Sequence, residues 1–553
     1  MNKRIPARTL ALALAMAICG TTQAADLQLQ NGDAPGVGLN ETTPAAPVGG
    51  NPGTTLGEQR LKVYQYAMAL WGKVLGGDAP VLINASFPAL TCTASSAVLG
   101  SAGAYWSASD AARRYHGALA NARNKTDLAP AWPEIIAQFN PNLGQPACLA
   151  GSGWYYGLDG NTPAGKINFL NVVMHEIGHG LGVSGYINKT SGAWSGMPDV
   201  YTARAYDNLS GKSFIDPGMT SAQRAIAMRT VGATTWTGAN VNQQAALTLD
   251  AGYQDPPYLQ VTAPASLARP YGFQRAAFGA VATPANFSGS NWVLAVDPSD
   301  AAGPSVNDGC SPLTNGAAIS GNIAMIDRGS CGFAVKVKNA QNAGATAVVV
   351  LNSNVTPPAA ADSNWGSMGG VDATITIPAI LVRYADGLTF KSAAPSGGIA
   401  LGPVTLAGMD TNGRTRLYSP WVVAGGSTFS HFDTALSPNV LMEPFDTPEI
   451  QAQLSLDLTP ALLRDIGWPM REGNAKLMKG YCDTGIPVAA EGGFVTGANV
   501  EIKNESCRTG ATRMGYFYCM RDYADSLYAS NQITSSQRTK LTTCARREAD
   551  TWR

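Results

Sequence analysis

The chain has 553 residues, and its 38 Lys and Arg balance its 38 Asp and Glu, so the formal net charge is zero. Charged residues make up 14% of the sequence, well below the roughly 25% of an average soluble domain. This composition excludes nucleic acid as the expected partner, because phosphate binding needs clustered Lys and Arg. The 45% of hydrophobic residues argues against disorder, and the length predicts about three or four folded units.

The N-terminus has the three parts of a signal peptide. Lys3 and Arg4 form a basic start, residues 10–18 are apolar, and small residues precede position 26. The apolar stretch is too short to span a bilayer, and no later segment is long and apolar enough to do so. The sequence therefore predicts a signal peptide over 1–25 and an exported protein without a membrane span. Secretion outside the cell is favoured over retention in the periplasm.

Cysteine usage agrees with export. The chain has nine cysteines, and only Cys19 lies in the signal peptide. The remaining even number indicates disulfides in an exported chain. These cysteines form three groups along the sequence, which favours local pairing: Cys92 with Cys148, Cys310 with Cys331, and two bridges among Cys482, Cys507, Cys519 and Cys544.

The elements predicted before residue 200 follow a flexible leader. Residues 26–56 are rich in Gly, Pro, Thr and Asn, and they predict this leader. Hydrophobic periodicity then predicts the helices and strands that follow. The helices are expected over 61–71, 108–123 and 166–180, and the strands over 81–83 and 135–139.

The character of the sequence changes at about residue 255. From there to about 403 it is rich in Ala, Gly, Val and Pro and poor in charge. Strands over 322–329, 345–351 and 377–382 alternate with a helix over 333–344, which predicts a compact α/β unit with its own core. Farther on, Thr459 before Pro460 predicts a capped helix start.

The tail from Arg471 contains four cysteines and predicts a small disulfide-stapled domain. Its aromatic residues are expected to form the core of this domain rather than a binding face, because aromatic side chains supply much of the buried area in small domains. These residues are Tyr516, Phe517, Tyr518, Tyr523 and Tyr528.

The pentapeptide from His175 to His179, His-Glu-Ile-Gly-His, carries the clearest chemistry. On a helix, residues four apart share a face, so His175 and His179 can direct their imidazoles at one Zn²⁺. Glu176 is placed to act as general base toward a water on the metal. The alternative is a polar patch on a core helix, but the flanking residues also fit a zinc helix. Gly182 is expected to end the helix with a positive φ.

A catalytic zinc needs a third protein ligand, and the sequence offers three candidates. His116 lies on a predicted helix beside two arginines, where a surface position is expected. Asp199 lies about where thermolysin-like enzymes carry a Glu, but its surroundings lack their helical motif. His431 closely precedes Met442.

The zinc helix resembles the metzincin signature His-Glu-x-x-His-x-x-Gly-x-x-His, with Gly185 in place of the last His. The run from Pro438 to Pro444 resembles the Met-turn of that clan. In leishmanolysin-like members, an insertion separates the Gly from a third His that lies shortly before the Met-turn. This sequence resembles that arrangement, with 186–430 as the insertion. The resemblance implies His431 as the third ligand and Met442 as the apolar floor of the site.

Part of the insertion resembles a protease-associated (PA) domain. The resemblance rests on the run 321–329, on Cys331-Gly332-Phe333, on the helix from Lys336 to Ala343 and on 377–379. Such domains imply roles in substrate access and partner binding, and they carry no catalytic residues. Aminopeptidases with two zinc ions also contain them, so the domain does not decide the enzyme class.

Together these features predict an α+β fold. We expect a metzincin-like catalytic domain, with a twisted sheet and an active-site helix, that is interrupted by an α/β PA domain and followed by a small disulfide-rich domain. The predicted segments are a signal peptide (1–25), a leader (26–56), the two parts of the catalytic domain (57–254 and 409–470), the PA insertion (255–408) and the C-terminal domain (471–553).

The function expected from this reading is that of a secreted zinc metalloendopeptidase with one catalytic Zn²⁺ and protein or peptide substrates. The alternative is a secreted binding or adhesion protein with a non-catalytic metal site. Glu176 argues against it, because a structural zinc has no use for a base and usually has a fourth protein ligand. Hydrolysis of a non-peptide amide stays open. No recognisable pattern supports a Ca²⁺ site, and nothing indicates the oligomeric state.

Overall fold

The structure is a computed structural model that describes most of residues 23–552. The residues that it does not describe within this range are 251–258, 262, 265–266, 268–269, 284, 288–289, 353–366, 394–395, 402–407, 489–496 and 530–531. The predicted signal peptide lies almost entirely outside the described residues. Among the residues that are described, no helix has both the length and the apolar character that a bilayer crossing requires.

The part of the chain before residue 250 is built on a four-stranded sheet. The strands in this part of the chain, including those of smaller sheets, are β1 (Leu27–Asn31), β2 (Val81–Ser86), β3 (Cys92–Thr93), β4 (Ser96–Ala97), β5 (Gly100–Ala104), β6 (Ser107–Ser109), β7 (Arg114–His116), β8 (Ile135–Phe139), β9 (Trp154–Tyr155), β10 (Ile167–Asn168), β11 (Ala205–Asp207), β12 (Lys212–Ser213) and β13 (Thr234–Trp236). Its helices are α1 (Leu56–Val74), α2 (Gly117–Asn124), α3 (Phe169–Leu181), α4 (Ser221–Ala227) and α5 (Ala239–Thr248), with short 3₁₀ helices at Gly38–Asn40 and Thr202–Arg204. The main sheet has the order β1-β2-β8-β5, in which β5 alone runs antiparallel.

The predicted flexible leader over 26–56 is wrong. Leu27 to Asn31 form β1, which pairs in parallel with β2, and the Thr55 side chain caps α1 by accepting a hydrogen bond from the backbone N–H of Glu58. The alternation of Leu and Gln over 27–30 is a strand pattern. The Gly and Pro content of the whole segment obscured it.

The predicted helix over 108–123 starts later than expected. Strands β6 and β7 form an antiparallel hairpin, and α2 begins only at Gly117. The carboxylate of Asp110 accepts hydrogen bonds from the backbone N–H groups of Ala112 and Arg113. Asp favours such local turns over a helix. The helices predicted over 61–71 and 166–180 and the strands over 81–83 and 135–139 correspond to α1, α3, β2 and β8.

One apolar core joins residues from before and after the insertion. It contains Trp71 of α1 and Phe139 of β8 together with Leu441 and Met442, which follow the insertion. Helix α9 (Thr459–Ile466) packs in the same core and contacts α5. Thr459 is the first residue of α9 rather than its cap, and no side chain caps this helix.

The inserted segment forms an eight-stranded sheet. Its strands are β14 (Leu259–Val261), β15 (Pro270–Tyr271), β16 (Gln274–Arg275), β17 (Ser290–Leu294), β18 (Ile323–Asp327), β19 (Ala347–Leu351), β20 (Ala379–Val382) and β21 (Ser396–Leu401), and its helices are α6 (Gly316–Ile319), α7 (Phe333–Asn342) and α8 (Tyr384–Ala393). The strand order is β15-β14-β21-β17-β18-β19-β20-β16, with β17 to β20 parallel. Alternate residues of β18 and β19 belong to two different apolar clusters, so both faces of the sheet are covered.

The C-terminal segment contains the hairpin β22 (Asn474–Leu477) and β23 (Cys482–Pro487), a short 3₁₀ helix at Met478–Gly480, and the helices α10 (Gly497–Arg508), α11 (Arg513–Ala529) and α12 (Ser535–Asp550). Disulfides join Cys482 to Cys544 and Cys507 to Cys519. The other two predicted bridges, Cys92–Cys148 and Cys310–Cys331, are also formed. Of the tail aromatics, Tyr516 and Tyr523 are buried as expected, whereas Tyr518 and Tyr528 are exposed.

Candidate metal centre

Helix α3 positions two of the candidate ligands. It begins after Asn168, whose side chain accepts hydrogen bonds from the backbone N–H groups of Leu170 and Asn171. It ends at Gly182, which has a φ of +131°. A Cβ at Gly182 would lie 2.8 Å from Cδ1 of Ile466, so both the backbone conformation and the available space favour glycine.

Three imidazole rings meet beside this helix. The Nε2 atoms of His175, His179 and His431 lie 3.1 Å from one another in all three pairs. Nitrogen ligands about 2.0–2.1 Å from a tetrahedral zinc would be roughly 3.3 Å apart, so the observed triangle fits one such ion. The structure thus brings together two histidines one helical turn apart and a third that is distant in the sequence.

The hydrogen bond that Nδ1 of each ring makes leaves Nε2 unprotonated and able to bind a metal. The Nδ1 atoms of His175, His179 and His431 lie 2.6, 2.7 and 2.8 Å from the backbone carbonyl oxygens of Leu441, Val183 and Ser427, respectively. A carbonyl oxygen can only accept, so each Nδ1 carries the proton and donates it. Three unprotonated Nε2 atoms then point at one another, an arrangement that a bound cation stabilises.

The protonation of these rings agrees with that geometry. Burial lowers the pKa of His175 to about 4. Burial also holds the pKa of His179 and of His431 well below the usual range. All three rings are therefore neutral near pH 7, the form in which histidine binds metals.

Neither of the other two ligand candidates joins this group. Asp199 is buried, and its carboxylate accepts hydrogen bonds from the backbone N–H groups of Tyr186 and Thr202 and from the Thr202 hydroxyl. Its carboxylate is therefore used to fix the turn that leads into the short 3₁₀ helix at Thr202–Arg204. Among the described residues, the group of His, Cys, Asp and Glu side chains whose ligand atoms converge consists of His175, His179 and His431.

The surface position expected for His116 is wrong. The residue is 1% exposed, its Nε2 lies 2.8 Å from the Ser184 hydroxyl, and its ring packs against that of Tyr186. Burial lowers the pKa of His116 to about 3. The predicted helix that suggested a surface position is a strand here, so its helical periodicity did not apply.

Gly185, at the position where the metzincin signature has its last histidine, has a structural explanation. A Cβ at Gly185 would lie 2.6 Å from the Thr202 hydroxyl oxygen and 2.7 Å from Cε1 of Phe429. No side chain of ordinary size fits there. Phe429 belongs to the segment that also carries His431, so this segment occupies the space beside Gly185.

His431 lies at the base of a hairpin, residues 417–432, that we name the ligand hairpin. The backbone N–H of Tyr418 donates to the carbonyl oxygen of His431, and the backbone N–H of Phe429 donates to that of Tyr418. The backbone N–H of Phe432 donates to the carbonyl oxygen of Met442. These bonds fix His431 between the hairpin and the segment that follows it.

The Glu176 side chain points toward strand β5. A Cβ at Gly100 would lie 3.0 Å from Oε1 of Glu176, so the glycine makes room for the carboxylate. The backbone N–H of Ala102 donates to this carboxylate, but burial outweighs that bond and raises the pKa of Glu176 to about 8. A cation at the neighbouring histidines would lower this pKa, because opposite charge favours the ionised form.

Met442 packs against helix α3, which carries His175 and His179. It is fully buried, and its Sδ lies 2.8 Å from where a Cβ at Gly178 would be. Gly178 is the last variable residue of the His-Glu-x-x-His pattern. A side chain at this position would push against the sulfur that supports the helix between the two histidines.

Gly178→Ala is expected to destabilise the metal-free protein by up to about 2 kcal/mol, because an overpacking cost of about 1–3 kcal/mol is offset in part by the roughly 1 kcal/mol that alanine gains in a helix. The measurement is the free energy of unfolding in urea with a chelator present. In the Met442→Ala background the same change should cost less or even stabilise, because the contact is gone and alanine is the better helix former. An equal cost in both backgrounds would show that Met442 does not restrict position 178.

The three histidines line a cavity of about 900 Å³. Its walls include Gly100 and Ala102 of β5, Asn171, Val172, His175, Glu176 and His179 of α3, Ser184, Gly185 and Lys189 after the helix, Gly426, Ser427, Ser430 and His431 of the ligand hairpin, and Leu441, Glu443, Phe445 and Asp446. Lys189, Glu443 and Asp446 were not among the residues predicted from the sequence. No motif or periodicity marks them, because only the fold brings them to the cavity.

Glu443, in the cavity wall, makes the stability of the folded protein depend on pH. Its carboxylate accepts hydrogen bonds from the backbone N–H of Val440 and from the Asn439 side chain. Burial nevertheless raises its pKa to about 8, and Asp433 and Asp457 add to the effect. A carboxyl with a raised pKa binds a proton that the unfolded chain has released, so stability falls as the pH rises from about 4.5 to about 8.

We therefore expect the metal-free wild type to lose more stability between pH 6 and pH 8 than the Glu443→Gln variant, which stays neutral throughout. Urea unfolding of both proteins at the two pH values checks this. The histidines titrate alike in the wild type and in Glu443→Gln. The difference between the two proteins in how their free energy of unfolding changes with pH therefore reports on Glu443. Parallel slopes would mean that Glu443 has an ordinary pKa in the folded protein.

Comparison with known proteins identifies the inserted unit. The family model for the PA domain matches residues 301–390, so the chain contains a PA domain. The chain is 52% identical over 48 residues to the human "ER degradation-enhancing alpha-mannosidase-like protein 3" and 52% identical over 46 residues to its Xenopus laevis counterpart. These matches cover 9% and 8% of the chain, which spans about a twentieth (5%) of the length of these curated relatives.

Solved structures with some likeness include two aminopeptidases. A zinc aminopeptidase from Bacillus subtilis is 21% identical, with 30% of this chain and 37% of that chain covered and a TM-score of 0.18. An aminopeptidase from Aneurinibacillus sp. strain AM-1 is 15% identical, with 37% and 42% covered and a TM-score of 0.17. Scores of this size do not support a shared fold for the whole chain.

Proposed function

We propose that this protein is a secreted zinc metalloendopeptidase with a metzincin-like catalytic domain. The observation that carries the proposal is the triangle of Nε2 atoms from His175, His179 and His431, each 3.1 Å from the others. Each ring is held in the metal-binding tautomer by a backbone carbonyl. Glu176, the only carboxylate on α3, lies directly beside the first ligand.

The residues divide the chemistry between them. His175, His179 and His431 would hold one zinc ion and leave one position open. When bound, zinc supplies Lewis acidity, which brings the pKa of a water toward 7 and stabilises developing negative charge. Glu176 then accepts the proton of the attacking water at its carboxylate and passes it to the leaving amine. Met442 supports α3 from below, and Leu441 orients His175 through its carbonyl oxygen.

Strand β5 supports peptides as the substrate class. It lies at the end of the strand order, is antiparallel to β8, and its residues Gly100 to Ala102 line the cavity. An extended peptide can add to such an edge through backbone hydrogen bonds. This mode of binding requires no free chain terminus, and it favours cleavage within a chain.

The alternative of a binding protein with a structural metal site has less support. A structural zinc is usually closed by a fourth protein ligand. Among the described residues, the converging group has three members only. The four disulfides and the signal-peptide pattern support export in either case.

Metal removal tests the function. We expect the purified protein to cleave casein, to lose this activity after dialysis against a zinc chelator, and to regain it with one equivalent of Zn²⁺. Mass spectrometry of the products should show internal fragments. Cleavage that survives chelation, or no cleavage by protein with one zinc per chain, would contradict the proposal. Release of single residues only would contradict its endopeptidase part.

A further inference from the structure

The tip of the ligand hairpin contacts the inserted domain. Trp421 is half-buried and packs against the apolar cluster on one face of the eight-stranded sheet. Its ring lies directly on Gly272, where a Cβ would be 1.5 Å from Cζ2 of Trp421. The guanidinium of Arg383, which follows β20, lies 4.7 Å from the ring centroid. The inserted domain thus holds this tryptophan by packing and by a cation–π contact.

The other side of the same hairpin forms the metal site. The carbonyl oxygen of Ser427 accepts the hydrogen bond from Nδ1 of His431. The Nζ of Lys189 donates to the carbonyl oxygens of Gly425 and Gly426, at 3.0 and 3.1 Å. The hairpin is therefore fixed by Lys189 from the catalytic side and through Trp421 from the inserted domain.

Between these two attachments the tip has little regular structure of its own. Residues 419–428 include three glycine or serine residues in a row at 425–427, and no helix or strand is assigned there. Such a segment loses much conformational entropy when it is ordered. Contacts at both ends offset that cost. Loss of the contact at either end is therefore expected to shift the carbonyl group of Ser427, which orients His431.

We propose that Trp421 is a positioning residue and that the inserted domain, by holding it, sets the metal affinity of the site that His431 completes ten residues farther along the chain. The inference rests on the proposed metal-binding function. It gives the PA domain a role inside the catalytic unit, because the domain orders the segment that delivers the third ligand. Metal affinity should then respond to a change made in the inserted domain alone.

Three variants test the proposal. Trp421→Ala removes the ring, Gly272→Ala displaces it by occupying its place, and Trp421→Phe retains part of the contact. We expect Trp421→Ala and Gly272→Ala to weaken zinc binding by about tenfold or more, the usual scale for partners that orient metal ligands. Trp421→Phe should lie between these variants and the wild type. Competition against a chelator of known affinity measures the dissociation constant.

Two controls separate this effect from general destabilisation. Val422→Ala changes the exposed neighbour of Trp421, whose exposed fraction is 62%. Gly332→Ala adds a Cβ in the same inserted domain, where nothing lies within 4 Å. Both should bind zinc as the wild type does. The absorption spectrum of the cobalt-substituted protein should change in Trp421→Ala and Gly272→Ala but not in the controls.

The outcomes distinguish the two proposals. Wild-type affinity and an unchanged cobalt spectrum in folded Gly272→Ala and Trp421→Phe would overturn the role of Trp421, while the metal site itself would stand. A wild-type protein that binds no zinc would overturn both proposals. If Trp421→Ala does not fold, the comparison of Gly272→Ala with Gly332→Ala decides.

Discussion

Replacing His431 with alanine is expected to remove most of the bound zinc and to lower peptide hydrolysis by about two orders of magnitude or more. Two histidines alone leave a catalytic zinc one protein ligand short. In the folded protein, Nε2 of His431 is 3.1 Å from both helix histidines, so its loss opens one side of the site. Zinc per chain after gel filtration and the rate of casein cleavage provide the measurements.

Asp199 is the matched control for this prediction. Asp199→Asn changes the other sequence candidate for third ligand, whose carboxylate accepts three hydrogen bonds from Tyr186 and Thr202. We expect this variant to lose stability but to retain zinc. If His431→Ala kept its zinc and activity while Asp199→Asn lost them, the ligand assignment would be wrong.

Glu176→Gln is expected to retain zinc and to lose about 10²–10⁴-fold in turnover, the usual contribution of a general base. Glutamine has nearly the same shape, and its amide oxygen can still accept from the backbone N–H of Ala102. The variant should therefore fold and bind metal normally. Zinc content and the maximal rate of cleavage of a quenched fluorescent peptide separate binding from chemistry.

Comparing His431→Ala with Glu176→Gln separates the role of a metal ligand from that of a general base. Loss of zinc in His431→Ala and retention in Glu176→Gln would identify a ligand and a base, respectively. Substantial activity of Glu176→Gln would contradict the role of Glu176 in proton transfer. Loss of zinc from this variant would instead show that the carboxylate is needed for metal binding.

The local geometry of the two helix histidines could be predicted from the sequence, because it follows from helical spacing alone. His175 and His179 are one turn apart on α3, and Gly182 ends the helix as its position in the pattern indicates. His431 could not be derived in this way, since no periodicity connects residues separated by a complete domain. It was found through a resemblance to the Met-turn, and the orienting carbonyl of Ser427 has no sequence signal.

The incorrect predictions have physical causes. Composition averaged over 26–56 hid the Leu-Gln alternation that forms β1. The apolar spacing over 108–123 predicts one helix, although the Asp110 carboxylate stabilises a turn within it. His116 was expected at the surface for the same reason. Lys189 and Asp446 reach the cavity through long-range packing, which local patterns do not encode.

The most direct test of three histidines binding one ion is X-ray absorption at the zinc edge, on protein loaded with one equivalent of Zn²⁺. We expect three imidazole ligands and one further light atom, with first-shell distances of about 2.0–2.1 Å. Sulfur ligands, fewer than three imidazoles, or a metal–metal distance from a second zinc would contradict this account.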